Sequence, residues 1–154
     1  MSQPNQLKLS TETSQWLLAN NYNPEDLNQR GKNGDTALMK ATRDGLYPVV
    51  KELINAGADI NATNDDHNNA LWFACFGNHY DLMNLLLEAN IDINNQNDNG
   101  ATVLMYGASA GKTEVVRLLL QHNPNMNLHN LDDYKAIDFA SNIEVLRLLK
   151  NATQ

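Results

Sequence analysis

Cysteine is almost missing from this chain: Cys75 is the only one in 154 residues, so no disulfide can form within it. That fits a reducing compartment. Long apolar runs are missing too. No window approaches the ~18 apolar residues of a membrane-spanning helix. The opening MSQPNQLKLSTETSQ lacks the basic start and apolar stretch of a secretory leader. The cytoplasm is therefore the expected location. Basic residues are scarce, 11 against 18 acidic ones, for a net charge of −7 and a pI of about 4.9. Nucleic-acid binders displace counterions from phosphates with a basic face, and docking on anionic membranes needs the same sign. Neither partner is expected here. The acidity instead favours a partner with a basic patch. Hydrophobic residues, at 42%, are too many for a disordered polyelectrolyte, and the length suits one domain with a real core.

What is present is a repeat. Aligned at Thr36, Asn69, Thr102 and Lys135, the chain reads TALMKATRDG, NALWFACFGN, TVLMYGASAG and KAIDFAS, each anchor 33 residues after the last. VVKELINAGADIN, LMNLLLEANIDIN and VVRLLLQHNPNMN follow in the same step. Thr36, Asn69 and Thr102 each suit the cap of a short helix, where a side-chain oxygen accepts from an unpaired backbone N–H. That helix buries Leu38 and Ala41, then Leu71 and Ala74, then Leu104 and Ala108. Gly45, Asn78 and Gly111 supply the left-handed residue that ends it. A second helix carries an apolar stripe: Val49, Val50, Leu53 and Ile54 in one unit, Leu82, Met83, Leu86 and Leu87 in the next, and Val115, Val116, Leu119 and Leu120 in the third. Gly57, Asn90 and Asn123 end these, and Pro48 is harmless at a helix start. Between units lie Lys32-Asn33-Gly34-Asp35 and Asp98-Asn99-Gly100-Ala101. Asn-Gly signals a hairpin turn in which both central residues take positive φ. Each unit is thus a tight hairpin finger followed by two antiparallel helices.

The pattern resembles the ankyrin repeat. TALMKATRDG…VVKELINAGADINA matches the T-P-L-H-x-A and G-A-D-x-N-A elements of that family, and the resemblance covers roughly Asn23 to Lys150. Ala37, Ala70, Val103 and Ala136 stand where the family prefers Pro. Met39, Trp72, Met105 and Asp138 stand where it prefers His. The expected fold is an all-α solenoid with helical caps. An N-terminal capping helix and half repeat occupies 10–30, with Trp16, Leu17 and Leu18 in the helix. Full repeats occupy 31–63, 64–96 and 97–129, and a truncated capping repeat, 130–154, carries Val145, Leu146, Leu148 and Leu149. Such capped ends read as a complete small protein that is monomeric when free.

Two constellations imitate chemistry. Gly107-Ala-Ser-Ala-Gly111-Lys112-Thr113 resembles a phosphate loop, but only three residues separate its glycines where four are needed, and no strand precedes it. Gly107 falls inside a helix by register. Cys75 and His79 have helical metal-pair spacing but lack a third ligand, and the family resemblance gives both a structural reading. His67, His122 and His129 share no spacing. No paired carboxylates in a pocket and no Ser–His–Asp or Cys–His arrangement emerge. The chain is expected to be no enzyme and to need no cofactor or metal.

The resemblance implies that fingers and first helices line a concave partner-binding surface. By register, repeat one places Lys40, Arg43 and Asp44 there, repeat two Phe73 and Phe76, repeat three Tyr106 and Ser109, and repeat four Phe139. Aromatics on a groove floor are frequent interface anchors. Phe73, Tyr106 and Phe139 fit packing between repeats equally well, whereas Phe76 falls at an exposed register position and Trp72 reads as structural. Asp65, Asp66, Asp98, Asp132 and Asp133 fall at the finger tips, where Asp is also simply a good turn residue. Tyr134 stands beside them. The expected partner is another protein with a basic or mixed basic and apolar surface, bound at Phe73, Phe76, Tyr106, Tyr134, Arg43 and the five tip aspartates. An inhibitor, an immunity protein and an adaptor fit equally. The alternative is a protein that binds a small ligand or metal, or an enzyme accessory subunit.

Overall fold

The computed structural model describes residues 9–153. The leader-free reading of the first eight residues, and the chain end at Gln154, lie outside them. Eight α-helices occur among the described residues: α1 (Thr11–Ala19), α2 (Ala37–Arg43), α3 (Tyr47–Asn55), α4 (Ala70–Phe76), α5 (Tyr80–Glu88), α6 (Val103–Ser109), α7 (Thr113–Leu120) and α8 (Ile143–Ala152). α2, α4 and α6 stack in one row, which a 3-10 turn at Ala136–Phe139 continues. α3, α5, α7 and α8 stack in a second row behind. Between the rows, Leu38, Leu71 and Leu104 meet Leu53, Leu86 and Leu119, all essentially inaccessible to water. One apolar stripe per helix therefore builds one continuous core.

The caps follow the sequence, with one exception. Thr36 and Thr102 accept from the backbone N–H of Met39 and Met105. Asn69 does not cap. Its Nδ2 donates to the Asp92 carbonyl instead, tying the start of α4 to the loop after α5. Gly45, Asn78 and Gly111 turn the chain between helices with φ of 72°, 56° and 67°. Gly57, Asn90 and Asn123 do the same after the second helices, and Pro48 sits in the first turn of α3.

The fingers are tight hairpin turns, closed without paired strands. Among the described residues they hold no strand and a single bridge, Arg30 to Thr36. Each is closed by one backbone bond across four residues: Gly31 N–H to Asp35 O, Asn64 to Asn68, Asn97 to Ala101, and Asn130 to Tyr134. In the last three, the Oδ1 of Asn64, Asn97 or Asn130 accepts two further N–H groups. The tips take left-handed φ at one register position, occupied by Gly34 (74°), His67 (61°), Gly100 (72°) and Asp133 (65°). The Asn-Gly expectation therefore holds at Asn33-Gly34, where both φ are positive. It fails at Asn99-Gly100, where only the glycine is left-handed.

Asparagine also links the units. Asp59 N–H donates to Asn28 Oδ1, Asp92 N–H to Asn61 Oδ1, and Asn125 N–H to Asn94 Oδ1, a ladder along the loops behind the second helices. The finger tips form a second ladder: Asp65 N–H to Asn33 O, Asp98 N–H to Asp66 O, and Leu131 N–H to Asn99 O.

At the N-terminal end, Glu52 of α3 accepts from Ser10 N (2.7 Å), Ser10 Oγ (3.0 Å) and Thr13 Oγ1 (2.6 Å), clamping the start of α1. Leu17 of α1 is buried, Trp16 half-buried and Leu18 exposed, so the capping helix keeps one side for water. At the other end the shorter linker starts α8 early and leaves the first helix of the last unit as a 3-10 turn. There Ser141 N and Oγ both donate to Ala108 O. Val145 and Leu149 of α8 cover α7.

Candidate groove

The face formed by the fingers and the first-helix row carries every residue that the register assigned to partner binding. Phe76, in the last turn of α4, is 64% exposed, the most open aromatic ring among the described residues. Its ring stacks on Tyr106 of the next repeat, with centroids 5.1 Å apart and planes at 25°. Trp72 backs the pair at 5.9 Å from Tyr106 and is itself buried, in keeping with its structural reading. Phe73 and Tyr106 are half-buried, so each packs between repeats and still shows an edge. Phe139 is also half-buried and meets exposed Tyr134 edge-on at 5.9 Å. Aromatic contacts therefore form two groups along the row, one between α4 and α6 and one at the fourth unit.

Beside Phe76 is an open cavity of about 320 Å³ lined by Arg43, Phe73, Phe76 and Gly77. Arg43 lies 4.5 Å over the Phe73 ring, and its guanidinium bonds Asp35 at 2.5 Å. Asp35 is buried and also accepts from Asn64 Nδ2 at 2.9 Å. Arg43 is thus the counterion of a buried carboxylate as well as a wall of the cavity. A second cavity, about 280 Å³, opens where the end of α1 meets the first finger, and Lys32, Lys40 and Arg43 line one side of it. Tyr22 closes its inner wall and donates to Asp35 O. Burial, followed by the Asp35 charge, raises the Tyr22 pKa above its ordinary value, while Arg43 acts against that rise.

The five tip aspartates are all exposed, but they are not equivalent. Asp65 pairs with Arg30 at 3.5 Å, and Asp98 with His67 Nδ1 at 2.5 Å, each bond spanning neighbouring fingers. Asp66, Asp132 and Asp133 form none of the ion pairs found among the described residues. The rim is therefore only partly a row of repelling charges, because Arg30 and the His67 ring stand between its carboxylates at the first two junctions. Asp133 occupies the left-handed tip position, so its side chain is there for the turn as well.

Lys112 and Leu131 also belong to this face. Lys112, at the position that His79 holds one unit earlier, sends Nζ to the Cys75 carbonyl (3.2 Å), the Phe76 carbonyl (2.8 Å) and Asn78 Oδ1 (3.1 Å). It ends α4 with a positive charge, as helix termini favour, and lies 5.4 Å over Tyr106 and 5.9 Å over Phe76. Leu131, at the fourth finger tip, is 75% exposed. It occupies the register position of Lys32, Asp65 and Asp98, so the 33-residue step could have found it.

The two imitations of chemistry resolve into packing. Gly107 lies inside α6, where a Cβ would stand 3.2 Å from methyl groups of Val115 and Val116, so the missing side chain lets α6 close on α7. Gly111 makes the interhelical turn and Lys112 caps α4. Cys75 is fully buried, and burial pushes its thiol up to about 12 against the pull of Lys112. His79 Nε2 lies 3.2 Å from the Arg43 carbonyl, repeating the Lys112 arrangement one unit earlier. Among the described residues no three His, Cys, Asp or Glu side chains converge as metal ligands, and no helix is long and apolar enough to cross a membrane.

No curated protein matches this chain. The family model described as ankyrin repeats (3 copies) matches residues 7–97 and 90–154, nearly the whole sequence. Ankyrin repeats are in general protein–protein interaction modules and typically non-catalytic. With the 33-residue step, the finger ladder and the two helix rows in agreement with that match, the chain belongs to the ankyrin repeat family.

Proposed function

We propose that this chain works by holding another protein against the face lined by its fingers and first helices, acting as an inhibitor, immunity protein or adaptor. The observation that carries the reading is Phe76. A ring that could have been buried is left open on the floor of a cavity, braced by Tyr106 and Lys112. Folding gains nothing from that exposure, whereas a partner gains a rigid anchor of large area. Phe73 and Arg43 wall the cavity. Asp66, Asp132, Asp133 and Tyr134 extend the contact along the tips, with Asp65 and Asp98 available at the cost of their neighbouring pairs.

The test is paired capture from the native host, with wild-type chain and the double variant Phe76→Ala/Tyr106→Ala as baits. One or more proteins should be retained by the wild type and depleted at least tenfold on the variant, whose circular dichroism melt should stay cooperative, lowered by the lost Tyr106 packing, with both baits fully folded at the capture temperature. Equal retention of every captured protein by two equally folded baits would remove the groove floor from the account.

A further inference from the structure

The repeats are equivalent in backbone but not in charge. Three register positions face the groove, one at the finger tip and two on the first helix. In repeat one they hold Lys32, Lys40 and Arg43. In repeat two they become Asp65, Phe73 and Phe76, in repeat three Asp98, Tyr106 and Ser109, and in the last unit Leu131 and Phe139, the third position there being the cap of α8. All three cations stand at one end and line the cavity at the end of α1 beside Asp35; Arg43 pairs with that carboxylate and Lys40 with Asp44 at 3.4 Å, while Lys32 forms none of the ion pairs among the described residues. From the second finger onward the tips turn acidic, with Asp66, Asp132 and Asp133 outside any ion pair among the described residues, while the floor turns aromatic. A net charge of −7 hides this division.

We infer that the groove binds its partner with a fixed polarity. The occupant is a segment of another protein with carboxylates at the end over repeat one, an apolar side chain in the cavity beside Phe76, and lysine or arginine toward the fourth finger. This rests on the groove reading above and adds direction and chemistry to it. A uniformly basic segment would meet Lys32 and Lys40 at one end, and like charges brought together across an interface oppose binding. A uniformly acidic one would meet the tips of the later fingers. Four fingers are separated by three steps of ~10 Å each. An extended segment rising ~3.3 Å per residue spans that distance in about nine residues.

The probe is a ten-residue peptide with three aspartates at one end, Trp-Leu in the middle and three lysines at the other, titrated into the ¹⁵N-labelled full chain. Two versions carry a nitroxide, one at each end. Shifts at Phe76 and Tyr106 report occupation of the floor, and line broadening reports direction. The acidic-end label should broaden the amides of Lys32 and Lys40, and the basic-end label those of Asp132 and Asp133. Lys32→Gln/Lys40→Gln should weaken the peptide at least threefold, and Asp66→Asn/Asp132→Asn should do likewise. Broadening at the same amides from both labels, or the reverse assignment, would overturn the polarity while the floor shifts leave the groove reading standing. Absence of any shift at Phe76 and Tyr106 at millimolar peptide would overturn both.

Discussion

Single side chains here often hold two roles, and the division decides what a substitution reports. Arg43 lines the cavity beside Phe76 and also neutralises buried Asp35. Arg43→Ala leaves that carboxylate without its cation, and because the guanidinium is partly exposed the cost is screened to about 2 kcal/mol, below that of a fully buried pair. Urea unfolding of Arg43→Ala should show that loss, so weaker partner binding in this variant would reflect folding as much as contact. Phe76 is the cleaner probe because its exposed ring supports little of the core. Thr36→Ala should lower stability by ~1 kcal/mol, the usual worth of a helix cap, whereas Asn69→Ala should not report a cap at all. It removes the bond to the Asp92 carbonyl instead. Equal losses in amide protection at the N-terminal turns of α2 and α4 would contradict this distinction. Thr36 was legible from sequence because a threonine before an apolar helix has one obvious use. Asn69 was not, because its amide can turn to an acceptor 23 residues away.

Helices were readable where periodicity is local; the bonds that join units were not. Twenty-four asparagines stand in this chain. Register explained those that end helices, but those at Asn28, Asn61 and Asn94 act on the next unit, and a local pattern carries no sign of that. Likewise Asn-Gly marks the turn of the first finger, while the closure of the other three also depends on Asn64, Asn97 and Asn130. Glu52 is a third case, since a glutamate on an exposed helix reads as solvated surface until α1 is seen against it. The Thr13 hydroxyl, followed by the Ser10 backbone N–H, holds its carboxyl below the ordinary 4.5. A depressed folded value means that the clamp contributes fully above about pH 4.5 and weakens as pH falls below it. With Trp72→Phe leaving Trp16 as the sole indole, Trp16 emission should change on acidification before far-UV dichroism does. Glu52→Gln should remove that early change. An identical acid profile with and without Glu52 would separate the capping helix from this carboxylate.

At the scale of the whole molecule, stacking buries one stripe of every helix and leaves Phe76 and the finger tips open to water. The second helices bury their stripes against the core and against each other, while the fingers and first helices present Phe76, Tyr106 and the tips. The sequence made the architecture plain because every unit restates it. The same step aligned Phe73, Tyr106 and Phe139 on one row, although not the way in which Lys112 and Arg43 lie over the rings, since those contacts cross from one unit to another. The most direct measurement is hydrogen exchange by mass spectrometry on the chain alone and with its captured partner bound. Added protection should fall on peptides covering 32–43, 64–76 and 98–109, with those covering 47–55, 80–88 and 113–120 unchanged. Protection concentrated on the second helices would contradict the account.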